Sequence, residues 1–146
     1  MTALLKPAWW AGASLVLMVV GAFGPWVKVF GIVTINGTDG GRDGWVVIGA
    51  AAVAALLLLI YAKARRKWLL VLPVLAGAAG AATAAYDIDD ISRLGSGTIF
   101  GAGETFSTQW GIYASLVGSV SLALASVALM IRRREPAPET EAVATP

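Results

Sequence analysis

Carboxylates crowd one short stretch, Tyr86-Asp87-Ile88-Asp89-Asp90-Ile91-Ser92. Acids this close can share a calcium ion, or raise one another's pKa until one serves as a general acid near neutral pH. A calcium loop of the EF-hand kind also needs a central glycine and a distant bidentate glutamate, and neither follows at the required spacing. Asp87, Asp89 and Asp90 therefore read first as a solvated helix end, and only weakly as metal ligands. Glu104 adds another carboxylate, but no nucleophile accompanies it. The chain contains no cysteine and no histidine. That removes disulfides, thiolate nucleophiles, zinc-thiolate and iron-sulfur sites, imidazole acid-base chemistry and histidine-ligated haem. The expectation is a protein that is not an enzyme and holds no cofactor.

The remaining polar residues suggest contact chemistry. Asp39 and Asp43 flank Arg42, a pattern that a turn or a local ion pair explains. Asn36-Gly37-Thr38 matches the glycosylation triplet and is most simply a turn. Bases form two runs, Lys63, Arg65, Arg66 and Lys67 in one and Arg132, Arg133 and Arg134 in the other. Each base near an anionic leaflet is worth about 1 kcal/mol, so both runs are read as facing acidic lipid. No folded polar domain is available to shape a nucleic-acid groove, so nucleic acid is not an expected partner.

The elements that must position these groups are membrane spans. Hydrophobic residues make up 58% of the 146 and charged residues 14%, against about 25% charged in soluble domains. Mean hydropathy is +0.75. A span needs about 20 mostly apolar residues, and four stretches qualify: 9–27, 45–61, 68–86 and 110–131. The tryptophans Trp9, Trp10, Trp26, Trp45, Trp68 and Trp110 fall at the ends of these stretches, as expected of anchors at the headgroup boundary. Eight bases, with Lys6, lie on the side of the termini and the middle loop against three acids; three bases lie on the other side against six acids. The positive-inside rule then places both termini in the cytoplasm. The rival reading is a cleaved signal peptide with the mature chain starting at Phe23, leaving three spans. The tail 135–146, rich in Pro, Glu, Ala and Thr, is expected to be disordered; Thr140 and Thr145 are its candidate phosphorylation positions.

Small residues should carry the packing between spans. Gly77, Ala81 and Ala85 share one face of the third span with Gly80 and Ala84 beside it; Gly49 and the alanines after it serve the second; Gly111, Ala114, Ser115, Gly118, Ser119, Ala123 and Ser126 serve the fourth. Pro25 sits where the first span ends, and Pro73 about one turn inside the third, where a kink is expected. The segment from Val27 to Ile35 reads as a short strand followed by a turn at Asn36-Gly37. The second outer segment, with Thr98, Ile99, Phe100, Thr105 and Phe106, reads as a further strand or hairpin. Pairing the two would make a small β element that caps an antiparallel all-α bundle.

Gly24-Pro25-Trp26, Gly37-Thr38-Asp39-Gly40 and Asp43-Gly44-Trp45 together resemble a group of small four-span membrane proteins of actinobacteria, over about the first half of the chain. The resemblance implies a multi-pass protein of a bacterial plasma membrane, without an established activity. There is a fainter likeness to claudin-type four-span proteins, which place a Trp-bearing β segment outside after span one; the cysteine pair of that pattern is missing here. The functional expectation is an accessory or organising subunit that acts through its outer loops, with Asn36, Asp39, Arg42, Asp43, Phe100 and Glu104 as contact residues. Its partner would be another membrane protein or a second copy. The alternative is a self-associating pore, channel or holin-like protein.

Overall fold

The computed structural model describes residues 7–39, 43–96 and 106–131. Helix α1 (Pro7–Phe23) stops earlier than expected. Pro25 biases Gly24 away from helical geometry, and the Gly24 N–H closes the last turn on the carbonyls of Val20 and Gly21, 3.0 and 3.1 Å away. The chain from Pro25 is strand, so the first span as read through Val27 is corrected. Helix α2 (Asp43–Ala64) and helix α4 (Trp110–Ile131) contain their expected spans, the latter with the same ends.

A 3-10 turn (Lys67–Leu70) leads into helix α3 (Val71–Ser96), which continues well beyond Tyr86. Ile88, Ile91 and Leu94 keep helical spacing through the aspartates, and Ile91 is buried. Apolar periodicity thus outlasts the apolar run. Pro73 falls in the first α-helical turn, directly after the 3-10 turn. An amide hydrogen there has no α-helical acceptor, so the proline is accommodated at the start of this helix.

Among the described residues, α2, α3 with its 3-10 turn, and α4 are each long and apolar enough to cross a membrane. Helix α1 is equally apolar but has 17 residues, about 25 Å at 1.5 Å per residue. Helix α4 packs most closely, lying against α1 and α3, while α2 touches α1 and α3 more lightly. The contacts run antiparallel. A Cβ on Gly21 would lie 2.8 Å from the Gly111 carbonyl, and one on Gly118 would lie 2.7 Å from the Met18 nitrogen. Such backbone approach is what small residues allow between helices in lipid. Gly77 and Gly80 of α3 lie against α4 and Ala84 is buried, whereas Ala85 is exposed and Gly49 of α2 has nothing within 4 Å. The Ser115, Ser119 and Ser126 hydroxyls are buried on α4 without hydrogen-bond partners.

Strands β1 (Pro25–Val29), β2 (Val33–Asn36) and β3 (Phe106–Thr108) form one antiparallel sheet in the order β2-β1-β3. Val27 pairs with Ile35 on one side and Thr108 on the other. The two outer segments therefore share one sheet, as the sequence led us to expect. The first contributes two strands, because the chain reverses at Val29–Ile32, with Phe30 at φ 51 and Gly31 at φ 69 and a 3.1 Å bond from the Ile32 N–H to the Val29 carbonyl. Two central residues with positive φ match a type I′ turn, which suits the twist of a hairpin.

Candidate functional site

The sheet covers one end of the bundle, and Trp26 fixes it there. A bulge between Pro25 and Val27 takes Trp26 out of the alternating pattern, which re-aims its side chain. Its indole is 5% exposed and donates to the Gly21 carbonyl at 2.9 Å. That carbonyl belongs to the last turn of α1, where its other donor is the Gly24 N–H at 3.1 Å and no further helical turn follows. Trp26 is therefore an internal cap, unlike Trp9, Trp10, Trp45, Trp68 and Trp110, which are all exposed.

The pieces around Trp26 meet at one place. A Cβ on Gly37 would overlap the Trp26 ring, so only glycine lets the chain pass. The Gly37 N–H donates to Gly24 at 3.1 Å, and Gly44, at the start of α2, donates to Gly37 at 2.9 Å. Asp39 accepts from the Asn36 backbone at 2.9 Å through its side chain and donates to the Asn36 carbonyl at 3.0 Å through its own N–H. Asn36 and Asp39 thus build a turn, which Asp side chains do well. On the other side the Gln109 N–H donates to the Trp26 carbonyl at 2.9 Å.

Between this turn and the outer part of α3 lies a cavity of about 290 Å³, lined by Trp26, Val27, Ile35 and Ile91 and by the carboxylates of Asp39, Asp43, Asp87 and Asp90. Asp87 follows the apolar run of α3. The 3-10 turn and α3 up to Arg93 span 27 residues, about 10 Å more than a hydrocarbon core of about 30 Å requires, so a crossing helix of this length has room to carry Asp87, near its end, outside the apolar layer. One Asp87 oxygen is buried and accepts no hydrogen bond. Burial, reinforced by Asp43 and Asp90, raises its pKa to about 6. Asp89 turns elsewhere and pairs with Arg93 at 2.7 Å on the exposed side of the helix. The three aspartates thus divide, Asp87 and Asp90 facing the cavity and Asp89 the exterior. Among the described residues, no group of three or more acids is arranged to hold a metal ion.

The rim of the cap is apolar. Phe30 is 66% and Ile32 84% exposed at the hairpin tip, and Val33 and Ile35 on the edge strand β2 are also exposed. Sequence reasoning missed this tip, because Phe-Gly is not among the dipeptides that signal a tight hairpin. Of the expected contact residues, Asn36, Asp39 and Asp43 come together at the cavity, whereas Arg42, Phe100 and Glu104 lie outside the described residues, as do Thr98, Ile99, Thr105, Arg132, Arg133, Arg134 and the tail. At the other end of the bundle Lys63, Arg65, Arg66 and Lys67 are exposed.

The chain matches no family model, and no significantly similar curated protein or solved structure was found.

Proposed function

We propose that this protein is a multi-pass plasma-membrane subunit that catalyses nothing and acts by recognition, with the sheet-covered end outside the cell and both termini in the cytoplasm. In this reading α1 is a fourth, shorter span. The carrying observation is that the cap holds both an exposed apolar hairpin tip, Phe30 and Ile32, and, at the opposite end of that hairpin, a cavity lined by four aspartates. A soluble surface seldom leaves large apolar side chains grouped without a use. The fitting partner is a membrane protein whose outer surface offers an apolar patch beside a lysine or arginine side chain. The apolar walls would hold the stem of such a chain, and Asp39, Asp43, Asp87 and Asp90 would meet its charge.

A pairwise test is purification of the tagged chain from its native membrane at native expression. The expected result is one partner retained by the parent chain and lost together in Ile32→Ser and Asp87→Asn, with both variants still folded. Purification of the chain alone in several mild detergents would refute the reading. The pore alternative draws on the buried serines of α4. Within one copy these pack against glycine, Ser119 Oγ lying 2.6 Å from where a Gly80 Cβ would stand, so a water path requires assembly of several copies. Dye release from liposomes at high protein density would favour the pore over the recognition subunit.

A further inference from the structure

At the end of the bundle opposite the cap, only Arg65 and Arg66 separate α2 from the 3-10 turn. The Arg65 N–H closes α2 on the Tyr61 carbonyl at 2.8 Å, and Arg65 itself has φ 54. This is the position just past a helix end that glycine usually takes, because a Cβ is crowded by the backbone there. Arg66 is extended, with φ −87 and ψ 111, and Lys67 opens the 3-10 turn. The reversal gathers the exposed side chains of Lys63, Arg65 and Arg66 within a few residues. Lys67 is engaged with the protein itself, its Nζ donating to the Met130 carbonyl at 3.0 Å, where a cation suits the C-terminal end of α4. Among the described residues, the carboxylates Asp39, Asp43, Asp87, Asp89 and Asp90 belong to the cap end.

Two features mark this turn: Lys63, Arg65 and Arg66 put three like charges within four residues, and an arginine occupies glycine's seat. An anion supplied from outside offsets the first and gives the second a purpose. We propose that this turn docks the phosphate headgroup of an anionic membrane lipid, through the guanidinium groups of Arg65 and Arg66 with Lys63 alongside. A planar guanidinium matches phosphate with paired hydrogen bonds. A lipid is favoured over free phosphate because the flanking helices are long and apolar enough to enter a bilayer, and Trp68, exposed two residues on, suits the headgroup boundary. The proposal rests on a membrane location, not on the recognition role of the cap.

The full chain would be melted in nanodiscs of phosphatidylcholine, with and without a share of phosphatidylglycerol. The parent chain should melt several degrees higher with phosphatidylglycerol, and the gain should shrink at high salt. Arg65→Gly, which relieves the backbone while deleting the charge, should melt at or above the parent in phosphatidylcholine and lose most of the gain. Arg66→Gln, which leaves residue 65 in place, should lose it as well, while Lys28→Gln at the cap should keep it. The proposal is overturned if Arg65→Gly and Arg66→Gln gain as much as the parent, if Lys28→Gln loses as much as they do, or if soluble glycerol phosphate reproduces the gain in phosphatidylcholine alone.

Discussion

Asp87 is more easily protonated in the folded chain than in the unfolded one, where its pKa is near 3.8 instead of about 6. Its contribution to stability is fully present below the lower value and is lost as pH rises through the upper one. The melting temperature should therefore carry a component that falls between these values, and Asp87→Asn should remove it in a pH series. A cationic guest would reverse the trend by favouring the ionised form. Trp26 supplies a second prediction. Trp26→Phe keeps the bulk but removes the indole bond to the Gly21 carbonyl, which keeps only the longer one from the Gly24 N–H, at a cost of about 1 kcal/mol in reversible unfolding. In sequence Trp26 has the same residue type and the same place at a span end as the other tryptophans. What separates it is a β-bulge, which depends on strand pairing with residues far along the chain and leaves no local mark. The acid cavity was half legible for a related reason. The cluster of Asp87, Asp89 and Asp90 could be seen, but the turn of Asp89 away from the other two and their meeting with Asp39 and Asp43 needed the fold.

At the scale of elements, α2 and α4 were nearly complete in the hydropathy pattern, because apolar runs of that length have few other uses. Helix α3 was cut short at Tyr86 because the aspartates ended the apolar run, although Ile88 and Ile91 continued the helical period against the cap. The hairpin inside the first outer segment was missed because the β-branched run reads as one strand, and the turn uses Phe30 where Asn, Asp or Gly is usual. Phe30 sits at positive φ, so Phe30→Asn should stabilise the chain by about 1 kcal/mol in denaturant unfolding. If the tip docks a partner, the same change should weaken co-purification, separating stability from recognition. The α1–α4 contact should behave in the opposite way. Gly118→Ala puts a methyl group 2.7 Å from the Met18 nitrogen, so the helices must part, with a loss of about 1–3 kcal/mol.

For the whole molecule, charge is sorted along the bundle axis, with aspartates at the cap and Lys63, Arg65, Arg66 and Lys67 at the far end. This was the most legible property of all, since it requires only the order of charges between apolar runs. The chain has no native cysteine, so single substitutions report orientation cleanly. A membrane-impermeant maleimide should label Thr38→Cys on intact cells and Arg66→Cys only after permeabilisation. The opposite pattern would invert the proposed topology and move the recognition surface to the cytoplasm.

The middle strand of the sheet also governs when the protein can be finished. Val29 of β1 must wait for Phe106 of β3, a delay on the order of ten seconds at a synthesis rate of about 5–20 residues per second. Until then that side of β1 stays open, and the arrival of α4 both fills the bundle and closes its capped end. Premature termination before residue 106 would thus leave β1 unpaired on that side, an open edge that tells an unfinished copy from a mature one.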